Sequence, residues 1–370
     1  MDDMLGRFDA DAGKSYTLPA RMYVDPETLR AETGAIFLKS WIYVGHGSEL
    51  AEPGDYVTAE IADQRLYVIH TEGGEIKAFH NVCQHRGHSL LRGKGKARKL
   101  LVCPYHAWSY DHDGALIAAP NCAQVAGFDK AEFSIPEIRV DRFAGFVFVN
   151  LDPDARPMAE VYAGAEERLL GLCPEAETLK TGGDVVFDIA GNWKNVGDNL
   201  LECYHCSTAH KAFVDLVEMP TYEVETHDQW SIQWGGTRPE NTAYGYDAEA
   251  EDRTFSTLYL WPTLAFVKFP GTAGIATFSF LPTAPEVTHQ VFAYHAPGEA
   301  LTETEDKALT YFRDVLGPED VDLVEDVQRG LHSRGYHQGR FMVDAERSEI
   351  SEHAAHHFQN LVARALGGGV

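Results

Sequence analysis

Long apolar runs are missing from this chain, and so is any excess of positive charge. No stretch approaches the roughly 20 apolar residues of a membrane-spanning helix, so no such helix is expected. Lys and Arg total 31 against 56 Asp and Glu, a formal net charge of −25. Nucleic acid and anionic membrane surfaces are bound through Lys and Arg, so neither is an expected partner. The charge is compatible with a cationic substrate, although solubility accounts for it more simply. Cysteine is scarce too. Six in 370 residues make no disulfide scaffold, and thiols kept reduced stay free to bind metal. A Gly-x-Gly-x-x-Gly fingerprint for a nicotinamide or flavin is absent. The opening residues, MDDMLGRFDADAGKS, are acidic and lack the apolar core of a secretory leader. The expected location is the cytoplasm.

What is there reads as an ordinary globular composition, 44% apolar and 24% charged, in a chain long enough for two domains. Residues 26–40 read as a short amphipathic helix opened by Pro26. From Trp41 to about Leu151, short alternating or apolar runs (IYVGH, LYVIH, IKAFHNV, KLLVC, GFVFVNL) are broken by Gly-Gly, Pro-Gly and Asp-Gly pairs, the pattern of a small all-β module. The polar LDPDARP at 151–157 marks a boundary. A helix around 158–172, a strand at VVFDIAGNW and a mostly helical 194–213 follow. Strands are expected near 229–235, 255–269, 274–283 and 288–297, with helices near 301–315, 319–331 and 351–366. The predicted fold class is therefore α+β: an all-β domain at 41–153, then a catalytic domain at 154–370 with a helix-covered antiparallel sheet, and a segment 1–40 packed on the latter.

Two cysteine–histidine couples, Cys83-Gln84-His85 and Cys103-Pro104-Tyr105-His106, fall in loops of the all-β module. Zinc usually groups Cys with Cys and His with His. Here each loop offers one thiolate and one imidazole, which suits a [2Fe–2S] cluster with two cysteines on one iron and two histidines on the other. A zinc ribbon or free thiols are the plainer alternatives. His88 lacks a Cys partner and reads as surface or supporting.

A second group comes later, in Glu202-Cys203-Tyr204-His205 with His210 beyond it. Five residues along a straight helix turn the two histidines about 140° apart, so a π-bulge or a break near 206–208 is expected to bring them together. Two histidines and a distant carboxylate make the facial triad that leaves positions open on Fe(II). The Cys203/Cys206 pair reads as two small buried thiols. His353, His356 and His357 read as packing, and Phe255, Tyr259, Trp261, Phe266, Phe269, Phe278 and Phe280 as strand core.

These motifs, with the WIYVGH opening at 41–46 and Asn192-Trp193-Lys194, Asp198-Asn199, Glu202, Tyr204-His205 and His210, resemble the alpha subunits of Rieske non-haem iron oxygenases. The resemblance covers most of the chain. It implies that Cys83, His85, Cys103 and His106 hold the [2Fe–2S] cluster and that His205 and His210 bind mononuclear Fe(II). It implies that Glu202, where many members carry Asp, is not a ligand but bridges to a cluster histidine of the neighbouring subunit. For the third ligand the family pattern selects Asp320 from the acidic run 318–326, with Glu319 its rival. On a helix Asp320 would lie with Leu323, Val324 and Val327 on an apolar, inward side.

The resemblance further implies NADH electrons delivered through a separate NAD(P)H-dependent reductase, activation of O2 and oxygenation of a small organic molecule. Trimers, or multiples of trimers, are implied because the two centres of one chain lie too far apart for fast transfer. The C-terminal part most resembles members acting on quaternary ammonium compounds such as betaines, carnitine or choline, with N-demethylation or C–N cleavage. Ring hydroxylation or O-demethylation of an aromatic acid is the runner-up. A Rieske electron carrier without oxygenase activity is the alternative of another class.

Overall fold

Ten short strands make up residues 37–158, one of the two compact units into which the chain divides. The computed structural model describes residues 5–367, so residues 1–4 of the opening segment and the last three residues of the chain lie outside the description. A seven-stranded antiparallel sheet runs in the order β1 (Ile42–His46), β10 (Phe146–Asn150), β9 (Glu137–Phe143), β4 (Ile76–His80), β3 (Gln64–His70), β2 (Asp55–Ile61), β5 (Lys94–Lys96). A three-stranded sheet of β6 (Leu101–Val102), β7 (Ser109–Tyr110) and β8 (Leu116–Ala118) stands apart from it. Tyr67, Ile69, Phe79, Tyr110 and Leu116 form a core that also takes in Cys83 and Cys103. The cysteine side chains are thereby withdrawn from water before any cofactor is considered.

The other unit joins the residues up to 36 to those from 159 onward. Its antiparallel sheet has seven strands in the order β11 (Lys180–Ile189), β17 (Val287–Ala296), β16 (Ile275–Ala284), β15 (Leu264–Lys268), β14 (Thr254–Leu260), β13 (Trp230–Gly236), β12 (Glu223–Thr226). The run 255–269 is two strands rather than one, joined by a tight connection at Trp261–Thr263, with Leu260 paired to Leu264. Alternation along β13 sends Trp230, Ile232 and Trp234 to one face and Ser231 and Gln233 to the other. Gln233 reaches the Leu200 carbonyl there at 3.2 Å. Most helices cover that second face; α2 (Ala165–Leu172) lies over the first, its Arg168 stacked 5.0 Å above the Trp234 ring. No helix of the described residues is long and apolar enough to cross a membrane.

The N-terminal segment is tied into this unit by charge. After a short helical turn at Arg21–Val24 it forms α1 (Pro26–Glu32), capped by the Asp25 side chain on the Glu27 N–H, and then widens into a π-helical turn at Thr33–Phe37. Glu32 is fully buried. One carboxylate oxygen holds Lys194 Nζ at 2.6 Å and the other accepts the Trp193 indole N–H at 2.8 Å. Burial pulls the Lys194 ammonium down from its usual range and Glu32 opposes that. Both partners belong to, or grip, α3 (Trp193–Leu200). Gly197 of that helix lets the Phe358 ring of α8 (His353–Ala365) approach so closely that a Cβ would stand 2.5 Å from it.

Removing one member of a buried pair leaves the other charge uncompensated, at about 3–5 kcal/mol. Glu32→Ala is expected to lose stability on that scale in denaturant unfolding, and Gly197→Ala about 1–3 kcal/mol through overpacking.

Candidate metal centres

The two Cys–His couples occupy matching loops. In the first, the Gly87 N–H donates to the Cys83 carbonyl at 2.9 Å and the Cys83 N–H to the His88 carbonyl at 2.8 Å. In the second, the Ala107 N–H donates to the Cys103 carbonyl at 2.9 Å and the Cys103 N–H to the Trp108 carbonyl at 2.8 Å. Gly87 and Ala107 stand at the same place in the two turns, both left-handed, with φ of 74° and 58°. Glycine enters that region freely and a residue with a Cβ at some cost. Each turn buries its cysteine and presents its histidine to the surface. The His85 and His106 rings meet edge to face at 4.5 Å, and His85 stacks on Trp108 at 4.9 Å.

Tyr110 is a participant that sequence reasoning missed. Its hydroxyl accepts the Gln84 N–H at 3.0 Å and lies 3.4 Å from Cys83 Sγ. With its oxygen engaged by the amide, the phenol proton is free for the sulfur. Only the β6–β7 pairing carries Tyr110 back over the first loop, and nothing in its local sequence signals that. Burial raises the Cys103 thiol and the neighbouring Cys83 raises it further, against lowering by the Tyr105 and His106 backbone amides. Two sulfurs held inside beside hydrogen-bond donors, with two imidazoles facing out, fit a cluster with a thiolate-bound inner iron and an imidazole-bound outer one.

In the other unit the helix carrying the second group is broken, but not where expected. After α3 the chain leaves helix at Leu201, resumes in α4 (Cys206–Ala209) and again in α5 (Lys211–Leu216). The break lies at 201–205 instead of 206–208. Glu202 causes it: its carboxylate accepts the backbone N–H groups of Tyr204 and His205, which a continuous helix would have bonded to Leu200 and Leu201. Cys203 and Cys206 are joined in a disulfide, where two separate thiols were expected.

The break turns the two rings toward each other. His205 Nε2 and His210 Nε2 lie 3.0 Å apart, and Asp320 Oδ1 is 3.0 Å from the second and 3.6 Å from the first. These three side chains form a group whose ligating atoms all lie within 4.8 Å of one another. The outward ring nitrogens are held as well, His205 Nδ1 by Glu202 and His210 Nδ1 by Glu319 Oε2 at 2.7 Å. Asp320 and Glu319, adjacent in α7 (Gly317–Leu331), which follows α6 (Glu303–Tyr311), thus meet opposite edges of the same imidazole. The side its periodicity suggests is only partly inward: Asp320 and Val324 turn in as expected, and two of the apolar residues do not. Leu323 and Val327 are exposed, while Gly317, Val324, Gln328 and Leu331 are buried. Leu323, Val324, Val327 and Leu331 border a cavity of about 370 Å³ that also reaches Glu202 and His205.

Electrostatics show what the group is built to hold. Burial alone would lower both histidines, but the carboxylates of Asp320 and Glu202 push His205 up to about 10, and Asp320 and Glu319 raise His210. Asp320 is raised by burial, yet its two imidazole partners bring it below the usual carboxylate range. A positive charge between the three is therefore stabilised, and a divalent cation satisfies the same field with the imidazoles neutral. The rest of the motif positions this group. Asn192 caps α3 through the Lys194 N–H, and Asp198 accepts Tyr23 Oη at 2.7 Å and Gln359 Nε2 at 2.8 Å. Burial pushes Asp198 up to about 7. His356 is committed elsewhere, stacked on Phe8 and bonded to the Asp9 carbonyl at 2.8 Å.

Two buried sulfurs with two outward imidazoles in an all-β unit, and two imidazoles with a carboxylate on a helix-covered sheet, define a class of redox enzyme. Residues 40–129 match the Rieske [2Fe-2S] domain family, and residues 176–368 match the ring hydroxylating alpha subunit (catalytic domain) family. The chain belongs to the Rieske non-haem iron oxygenases, as the catalytic alpha subunit with a [2Fe–2S] domain, a mononuclear-iron domain and a dependence on electrons supplied by a partner protein. It is 40% identical over 360 residues to the carnitine monooxygenase oxygenase subunit of Escherichia coli (strain K12), covering 97% of this chain and 96% of that one. Choline monooxygenase, chloroplastic, of Amaranthus tricolor is 28% identical over 94% of this chain and 77% of its own length. A crystal structure of a quaternary ammonium Rieske monooxygenase in complex with L-carnitine superposes with a TM-score of 0.89, at 40% identity and 97% coverage of both chains.

The Tyr110 contact generates a test. A hydrogen bond to a ligating sulfur favours the more negative, reduced cluster, so its loss lowers the potential. At about 1 kcal/mol, equivalent to about 40 mV for one electron, Tyr110→Phe is expected to move the midpoint down with the visible spectrum intact. A redox titration checks it.

Proposed function

We propose that this oxygenase acts on a quaternary ammonium compound of the betaine, carnitine or choline type, inserting one oxygen atom into a C–H bond next to nitrogen. N-demethylation or C–N cleavage follows, and the second oxygen atom leaves as water with two electrons and two protons. The observation that carries this is the likeness, along nearly the whole chain, to carnitine monooxygenase oxygenase subunits. Ring chemistry near the triad supports it. Phe213, three residues beyond His210, meets Phe255 at 5.0 Å, which meets Phe269 at 5.8 Å. A quaternary ammonium has no hydrogen to donate and is held by aromatic faces. An aromatic acid would instead need a base. Lys268, on the strand beside Phe255, faces away from the triad and is committed to the Thr272 and Gly274 carbonyls.

In this reading residues 41–153 carry the cluster on Cys83, His85, Cys103 and His106. Residues 154–370, with 1–40 packed on them, carry iron on His205, His210 and Asp320. When bound, the two centres supply single electrons and activate O2. Glu319 and Glu202 accept the Nδ1 protons of His210 and His205, which fixes the tautomer and leaves both Nε2 lone pairs for the metal. Glu202 also relays the electron from a cluster histidine of a neighbouring subunit, in a homotrimer or a multiple of it. The donor is a separate NAD(P)H-dependent reductase, and the compartment is the cytoplasm.

Asp320→Ala is expected to keep the cluster's visible spectrum while losing mononuclear iron and turnover; iron retained at full activity would move the ligand to Glu319. Glu202→Gln should keep both metals yet slow reoxidation of the reduced cluster by about 10–100-fold. The substrate class is tested by single turnover. The reduced, iron-replete enzyme is given O2 with a panel of betaines, carnitine, choline and aromatic acids. Fast reoxidation with a quaternary ammonium compound, with formaldehyde or a cleaved amine as product, is the expected result. Reoxidation with the aromatic acids alone would overturn it.

A further inference from the structure

One cavity of the catalytic unit lies away from the triad. It measures about 1160 Å³ and lies between α2 and the face of the sheet that carries Trp230, Ile232 and Trp234. Ser256 and Lys268 line it as cross-strand partners. Their neighbour Phe255 points the other way and packs on Phe213. Cavity and triad are therefore on opposite faces of one sheet, and a ligand in the first is not a substrate of the second.

Five carboxylates line this cavity against two side chains of fixed positive charge and one histidine, His227, which lies 3.7 Å from Glu225 and stacks on the Trp230 ring at 3.7 Å. Of the acids, Glu167, Glu175 and Glu251 pair with no base among the described residues, so their charge is open to a ligand. Of the two fixed cations, Lys268 is neutralised in place: its ammonium is taken up by the Thr272 and Gly274 carbonyls at 2.6 and 3.0 Å and by Asp252 at 3.6 Å. Arg168 is the other, and it already uses the Trp234 face as a cation does. The wall also holds an orphan. Ser256 is 1% exposed and its Oγ has no hydrogen-bond partner, a state that costs free energy unless something fills it. The acids do not converge on a metal ion. Among the described residues, the group that brings three ligating atoms within 4.8 Å of one another is the triad. Dispersed negative charge, an indole wall and one unfilled hydroxyl suit a cation larger than a metal.

We propose that this cavity is a second binding site, for a small alkylated ammonium ion bearing a hydroxyl. Its charged head lies among the rim carboxylates of Glu167, Glu175 and Glu251, its alkyl groups lie along the indole wall beside Trp234, and its hydroxyl bonds Ser256 Oγ. The inference does not depend on the substrate reading above.

The holoenzyme labelled with 5-fluorotryptophan tests it by fluorine NMR, with Trp230→Phe and Trp234→Phe assigning the two cavity signals. Choline is the probe, and 3,3-dimethylbutan-1-ol is its neutral isostere. Choline is expected to move the Trp234 signal saturably, the isostere to bind about tenfold more weakly or worse, and Glu167→Lys with Glu251→Lys to weaken choline about tenfold. Ser256→Ala should weaken choline while leaving tetramethylammonium unchanged. No saturable movement of either cavity signal would overturn the proposal. So would equal binding of the isostere, or a choline response indifferent to the charge reversal.

Discussion

A buried charge pair holds the catalytic unit in register. Glu32 meets Lys194 where neither has any exposure, and the same carboxylate takes the Trp193 indole. Such a pair contributes little net stability against a well-packed apolar substitute, but it tolerates only one alignment. It fixes where α3 begins. Asn192 caps that start, Gly197 sets its distance from α8, and Asp198 anchors its last turn through Tyr23 and Gln359. The chain then arrives at Glu202 in one orientation, and the carboxylate there ends the helix and aims His205. The aim of His205 in this unit is thus a consequence of a salt bridge that ties the start of α3 to a residue far back in the chain.

The two centres share a design at the level of the imidazole. Each histidine of the triad has one nitrogen turned to its neighbours and the other held by an acid, Glu202 or Glu319. In the cluster loops the equivalent work falls to backbone amides and a phenol, because sulfur needs donors where imidazole nitrogen needs acceptors.

Chemistry was more legible in the sequence than geometry. Mixed Cys–His couples and an acid three residues before a histidine are statements about residue types at short range, and they survive folding unchanged. The alternating runs that define an all-β module, and the period-two strands of the second sheet, were equally plain. What failed depended on contacts distant in sequence. The sequence asks for a π-bulge or a break near 206–208, and only the Glu202 side chain, competing for backbone amides, places the break at 201–205. Leu323 and Val327 carry an inward pattern but border a cavity instead of the core. Tyr110 acquires its role only through strand pairing. Ser256 falls inside the strand run 255–269 with nothing local to mark it, and only the wall it faces sets it apart.

The cluster loops bury sulfur and expose nitrogen. The interior half of such a centre is tuned by residues no partner can touch, and the exterior half is addressed by whatever docks on the surface. Apart from the two imidazoles, which belong to both, driving force and recognition are thereby written in separate sets of residues. Drift at Pro104 or Tyr105 can change which protein is met while leaving the potential alone, and drift at Tyr110 can do the reverse. A lineage built on these loops is free to exchange electron donors without rebuilding its redox chemistry.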